Sequence, residues 1–302
     1  MSFDLYMHRP TGSPPLNEEE VHRVVMGLPY ISKMTQGQWM YENPQTGVCF
    51  LAELDVGDEA DPPLKDQCPF LVINLNYARP TFFALEAMPV ATEIARSLGL
   101  QMWDTQGPSD DPVIRQSTPE LIESWCHNNE FAVRALVADG SAPIGAGSVK
   151  SVATLEQMTY WWRYAQMQPE IDEKLKTEDV FTPQIILVRA RGGTNAERLV
   201  CWADCISTVI PETELLLIRR RRPGLLGLGT RQEDGVVKFS EMYDILGDAL
   251  VRQTDPLPHY IYRQHELSKE VKQAIAQLRL VPFDSYEGLL PESIVDVGLD
   301  DA

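Results

Sequence analysis

Five histidines and five cysteines are the first residues to test for chemistry. His8, His22, His127, His259 and His265 show no HExxH spacing, and no CxxC pair joins them, so no zinc ligand set is legible. Cys126 and His127 are adjacent; on a helix their side chains diverge by about 100°, which suits neither a shared ion nor a nucleophile–base pair. Cys201 and Cys205 are four residues apart in VCWADC, a stretch that reads as strand. They would then share a face about 13 Å apart, at about 3.3 Å per residue, which is too far for a disulfide. An odd number of cysteines without framework spacing suits a reducing compartment and buried structural thiols. No GxSxG elbow is present. The glycines at Gly224, Gly227 and Gly229, and the run from Gly145 to Ser151, miss the spacing of a phosphate-binding loop. No metal and no organic cofactor is therefore expected.

Three groups of residues remain. Glu86, beyond the strand-like FLVINLNY, is a conceivable cleft acid with Arg79 as its partner, although an Arg–Glu bridge at a helix start is the plainer reading. Arg219 to Arg222 form a basic run; a strand alternates its faces, so only two of the four can point one way. Their expected task is to neutralise acids from the chain's own loops rather than to bind nucleic acid. Tyr160, Trp161, Trp162 and Tyr164 cover more than one face of a helix. They are either core or an interface, where Trp and Tyr dominate binding energy.

The surroundings of these groups are set by charge. The 302 residues carry 44 Asp and Glu against 26 Lys and Arg, a formal charge of −18. Such a surface repels nucleic acid and anionic membranes and attracts basic proteins. Glu53–Asp66 concentrates Glu53, Asp55, Asp58, Glu59, Asp61 and Asp66 around one lysine, and the segment from Val281 is acidic as well. With 44% hydrophobic and 23% charged residues the composition is globular. The opening MSFDLYMHRP lacks the basic flank and apolar run of a signal peptide, and the apolar runs are too short for a membrane helix.

The elements that must position these groups read as α+β: two mixed modules with mainly antiparallel sheets, separated by a helical pair. Residues 1–115 form the first module, β-α-β-β-β-α-β. Phe3–Arg9 alternates like a half-buried strand, Asn17 caps a helix with three glutamates in its first turn, and NPQTG joins a hairpin. Phe70–Tyr77 is a strand, and Thr81 starts a helix to about Leu98 that Pro89 should kink or split. Residues 116–178 form a helical hairpin, Thr118–Ala138 and Thr154–Lys176, expected to pack as one unit. Residues 179–302 form the second module, with Pro183–Arg191, Arg198–Thr208 and Glu214–Arg221 as an antiparallel meander. A helix follows from Ser240 to about Val251 and another over Glu266–Leu280.

In general style the chain is similar to acidic cytosolic bacterial proteins, among them immunity proteins that neutralise polymorphic toxins. That likeness implies a basic protein partner and assigns no residue. The expectation is a non-enzymatic, cytoplasmic binding protein of inhibitor or immunity type, with Asp55, Asp58, Glu59, Asp61, Trp161 and Trp162 as partner-binding residues. A structural or homo-oligomeric accessory protein, and an enzyme using Asp or Glu chemistry, stand as alternatives.

Overall fold

Alternation of apolar and polar residues builds the first sheet. In β1 (Ser2–His8) Phe3, Leu5 and Met7 are buried, while Asp4 and Tyr6 are half-buried. In this computed structural model, residues 1–55, 69–106, 113–115, 117–138, 151–202, 206–223, 230–263 and 268–297 are described. They belong to two compact units, Met1–Pro143 with Val295–Ala302, and Ile144–Ile294. The architecture is α+β with mostly antiparallel sheets.

The first unit adds α1 (Glu18–Val25), β2 (Ile31–Thr35), β3 (Gln38–Glu42), β4 (Cys49–Asp55), β5 (Phe70–Asn76), α2 (Phe82–Leu98), β6 (Gln101–Asp104), β7 (Val113–Arg115) and α3 (Thr118–Ala138). Its sheet is antiparallel throughout, in the order β2-β3-β4-β5-β1-β6-β7. Strand β1 sits inside it because both of its edges find partners of matching alternation. Asn17 caps α1 as expected, accepting from the Glu20 N–H at 3.0 Å. Pro89 lies within α2 but does not split it: Pro89 is exposed, and the buried stripe of Ala87, Met88, Ala91 and Ile94 keeps the helix on the core. Gly99, at φ 66°, takes the left-handed cap that ends it, and the Leu100 N–H donates to Ala95 O at 2.8 Å. At the other end Thr81 makes no side-chain cap of its own. The carboxylate of Asp296 accepts from the Thr81 N–H at 2.9 Å and from its hydroxyl at 2.9 Å.

The second unit contains β8 (Ser151–Val152), α4 (Leu155–Leu175), β9 (Ile185–Ala190), β10 (Ala196–Trp202), β11 (Thr208–Pro211), β12 (Leu215–Pro223), β13 (Thr230–Lys238), α5 (Phe239–Leu246), β14 (Leu250–Gln253), β15 (His259–Tyr262), α6 (Lys269–Gln277) and β16 (Tyr286–Gly288). Two sheets result, β13-β12-β10-β9-β16 and β11-β15-β14. One face of the larger sheet buries Val188, Leu199, Leu215 and Val236 in a single cluster.

Three expectations need correction. The helical pair is not a unit: the division places α3 with the first unit, where it packs on α2, and α4 with the second. The three strands after it are not an antiparallel meander. Strands β9 and β10 pair antiparallel, but β11 leaves for the other sheet and β12 returns parallel to β10. An ion pair fixes that return. Arg198 is 8% exposed, and its Nη2 donates to Glu214 Oε1 at 2.6 Å while its backbone N–H donates to Oε2 at 2.8 Å. The Glu214 N–H donates back to Arg198 O at 3.2 Å. The Arg198 guanidinium also sits 5.1 Å from the centre of the Tyr160 ring. The helix expected to reach Val251 stops at Leu246, and Leu250 and Val251 begin β14 instead.

Burial raises the Glu214 carboxyl, but the Arg198 hydrogen bonds and charge outweigh it and hold the group below its ordinary value of 4.5. A group lowered in the fold stabilises above its unfolded value and loses that contribution as pH falls through the folded one. Glu214→Ala is therefore expected to cost about 3 kcal/mol at pH 7, leaving Arg198 buried without its partner. Urea unfolding of both proteins from pH 7 downwards checks this. The gap should begin to close below pH 4.5.

Candidate functional site

Glu86 projects from α2 onto the hairpin turn between β3 and β4. Its Oε1 accepts from Tyr41 Oη at 2.9 Å, Asn43 Nδ2 at 2.8 Å and Thr46 Oγ1 at 2.9 Å. Those three side chains are buried, and burial, then the Glu86 charge, pushes the Tyr41 hydroxyl strongly up. The turn residues NPQTG close on themselves, with the Gly47 N–H on Asn43 O at 2.8 Å. Glu86 thus braces the hairpin against the helix. The guanidinium of Arg79, its expected partner, lies 6.0 Å from the centre of the Phe83 ring.

The thiols are poorly disposed to nucleophilic chemistry. Burial and the Asp296 charge push Cys126 up to about 11, and burial raises Cys201 as well. His127 is exposed beside Cys126. Cys201 is exposed on β10, unlike the buried thiol expected there, and Cys205 lies outside the described residues. Cys126 and Cys201 are free cysteines. Among the described residues no cluster of His, Cys, Asp or Glu has the arrangement of a metal site, and no helix is long and apolar enough to cross a membrane.

Two residues of the basic run, Arg219 and Arg220, are turned on the chain's own acids. Arg219 pairs with Asp234 at 2.9 Å, and Arg220, 7% exposed, pairs with Glu233 at 2.8 Å and donates to Ile275 O at 2.6 Å. The acids come from the neighbouring strand β13, at the positions directly opposite.

Three of the six expected partner-binding residues fall outside the described residues. Asp55 ends β4 and is half-buried; Asp58, Glu59 and Asp61 lie outside the described residues. Trp161 is 7% exposed and its Nε1–H donates to Ile185 O at 3.1 Å, so it is core and not a contact surface. Trp162 is half-buried. Tyr160 and Tyr164 stack at 6.2 Å, and their hydroxyls donate to Pro258 O and Pro183 O. The aromatic helix holds the second unit together.

A different aromatic group is accessible. Phe239 and Tyr243, four apart on α5, meet Tyr260 of β15 with ring centres 5.5 to 6.0 Å apart in all three pairs. Tyr243 is 43% exposed, and the other two rings are half-buried. Asp244 and Asp248 are exposed next along the chain. Arg252, opposite Tyr260 in the β14–β15 register, leans on Glu212 at 3.9 Å. The i, i+4 spacing of Phe239 and Tyr243 is visible in the sequence, but Tyr260 arrives from a distant strand, so the group is not.

Removing the Tyr41 hydroxyl strips Glu86 Oε1 of a buried donor. Tyr41→Phe is expected to destabilise the fold by about 1–2 kcal/mol, as a hydrogen bond to a charged group should. Thermal and urea unfolding measure it, and an unchanged midpoint would show that the brace contributes nothing. Comparison with protein-family models, curated proteins and solved structures finds no match.

Proposed function

We propose that the protein is a non-enzymatic, acidic binding protein of the cytoplasm that engages a basic protein partner, with Phe239, Tyr243 and Tyr260 as its anchor. The carrying observation is the disposition of its cations. Arg9, Lys33, Arg96, Arg134, Lys174, Lys176, Arg189, Arg198, Arg219, Arg220 and Arg263 all pair with the chain's own carboxylates. The excess of acids that makes up the charge of −18 is left to face a partner. A long-range field of that sign speeds encounter with a cation, and a ring face then holds an arginine or lysine at short range. The free thiols suit a reducing compartment. The acid-rich segment with Asp55, Asp58, Glu59 and Asp61 belongs to the attracting field.

The test is binding of a peptide of alternating lysine and arginine at physiological salt. Tyr243→Ala is expected to weaken it about three- to tenfold, the size of a cation–π contact, with the melting temperature nearly unchanged. Neutralising Asp55, Asp58, Glu59 and Asp61 together should slow association and flatten its salt dependence while leaving dissociation alone. No measurable binding by the wild type, or equal affinity of the Tyr243 variant, would refute the anchor. An unchanged association rate in the quadruple variant would remove the acid-rich segment from the proposal.

A further inference from the structure

The second unit contains a cavity of about 580 Å³ bordered by Gln168 of α4, Phe181 to Gln184 of the segment entering β9, Ile186, Cys201 of β10 and Ile206. That volume is in the range of small-molecule sites, roughly 300–1,000 Å³. Its floor is held rigidly. Trp161, Tyr164 and Gln168, one stripe of α4 at i, i+3 and i+7, donate to Ile185 O at 3.1 Å, Pro183 O at 2.9 Å and Thr182 O at 3.0 Å. The carbonyls of Thr182, Pro183 and Ile185 are thereby committed to the helix. Its mouth is apolar and open: Phe181 is 52% exposed, Ile186 43% and Ile206 39%.

One polar atom has no place in this arrangement. Thr182 is 5% exposed, and its Oγ1 is buried with no hydrogen-bond partner. A buried hydroxyl without a partner costs about 1–3 kcal/mol, a cost that a ligand group would relieve. The neighbouring polar groups are the amides of Gln168 and Gln184, and among the described lining residues none is charged. In a chain of charge −18, described lining residues that carry no charge favour a neutral ligand over an anionic one.

We infer that this cavity is a binding site for a small neutral amphiphile: an aromatic ring or short apolar body between Phe181, Ile186 and Ile206, carrying one hydroxyl or amide that hydrogen-bonds Thr182 Oγ1. The inference is independent of the proposed partner surface, which uses other residues.

Cys201 lines the cavity and is exposed, so it reports on occupancy. Full-length protein is alkylated with iodoacetamide at pH 9, with acetanilide or 4-ethylphenol at millimolar concentration, and the Cys201 and Cys49 peptides are followed by mass spectrometry. Either probe is expected to slow Cys201 at least threefold and leave Cys49 unchanged, whereas phenylacetate, an anion of similar size, protects neither. Thr182→Val keeps the shape and removes the hydroxyl. It should melt no lower than the wild type and bind acetanilide about tenfold more weakly, the loss of roughly one hydrogen bond. Ile186→Trp, placed at the exposed mouth, should abolish protection without touching Thr182. Failure of both neutral probes to protect Cys201, equal protection by phenylacetate, or undiminished affinity in the Thr182→Val protein would each overturn the inference.

Discussion

A buried ion pair, Arg198 with Glu214, decides how the second unit is put together. Between β10 and β12 the chain makes an excursion into another sheet, and antiparallel return would be the commoner outcome for neighbouring strands. The guanidinium grips the carboxylate from the side chain and the backbone N–H of Arg198 binds the same group, so β12 is aligned parallel beside β10. Parallel alignment puts Leu199 beside Leu215 and builds the apolar cluster with Val188 and Val236. On the opposite face the same arginine lies over Tyr160, whose hydroxyl also accepts from the Glu212 N–H at 2.9 Å. Helix α4, sheet and crossover therefore share one charged contact.

The same principle extends outward. A chain with 18 more acids than bases can satisfy each buried arginine internally and still present carboxylates to solvent. Arg189 with Glu287 and Arg220 with Glu233 follow the pattern across adjacent strands. Desolvation makes each such pair a weak source of net stability, but it specifies which strands lie together. In the proposed function the surplus acids would form the attracting field, and the rings left half-exposed on α5 and β15 would provide the short-range contact.

Local patterns told much of the fold in advance. Strand β1 alternates, NPQTG closes the β3–β4 hairpin, and Asn17 and Gly99 bound their helices, because each signal is written in contiguous residues. What escaped depends on residues far apart in sequence. Arg198 and Glu214 are 16 positions apart with no periodicity between them, so a meander was the natural reading of three strand-like runs. Pro89 reads as a breaker because sequence does not say that its side of α2 faces solvent. Trp161 belongs to a stripe that is core or interface by its spacing alone; only the Ile185 carbonyl beneath it decides for core. Of the candidate site, Asp55 was visible as charge, whereas the meeting of Tyr260 with Phe239 and Tyr243 and the partnerless Thr182 hydroxyl are properties of tertiary packing.

In the proposed function, cation binding is local to the aromatic group and is not a diffuse effect of net charge. The direct measurement is a titration of isotope-labelled protein with the lysine–arginine peptide at physiological salt, followed by amide chemical shifts. The account predicts saturable shifts concentrated at residues 239–244 and around Tyr260. Shifts that scatter over acidic residues throughout the chain, or that leave this group untouched while others respond, would contradict it.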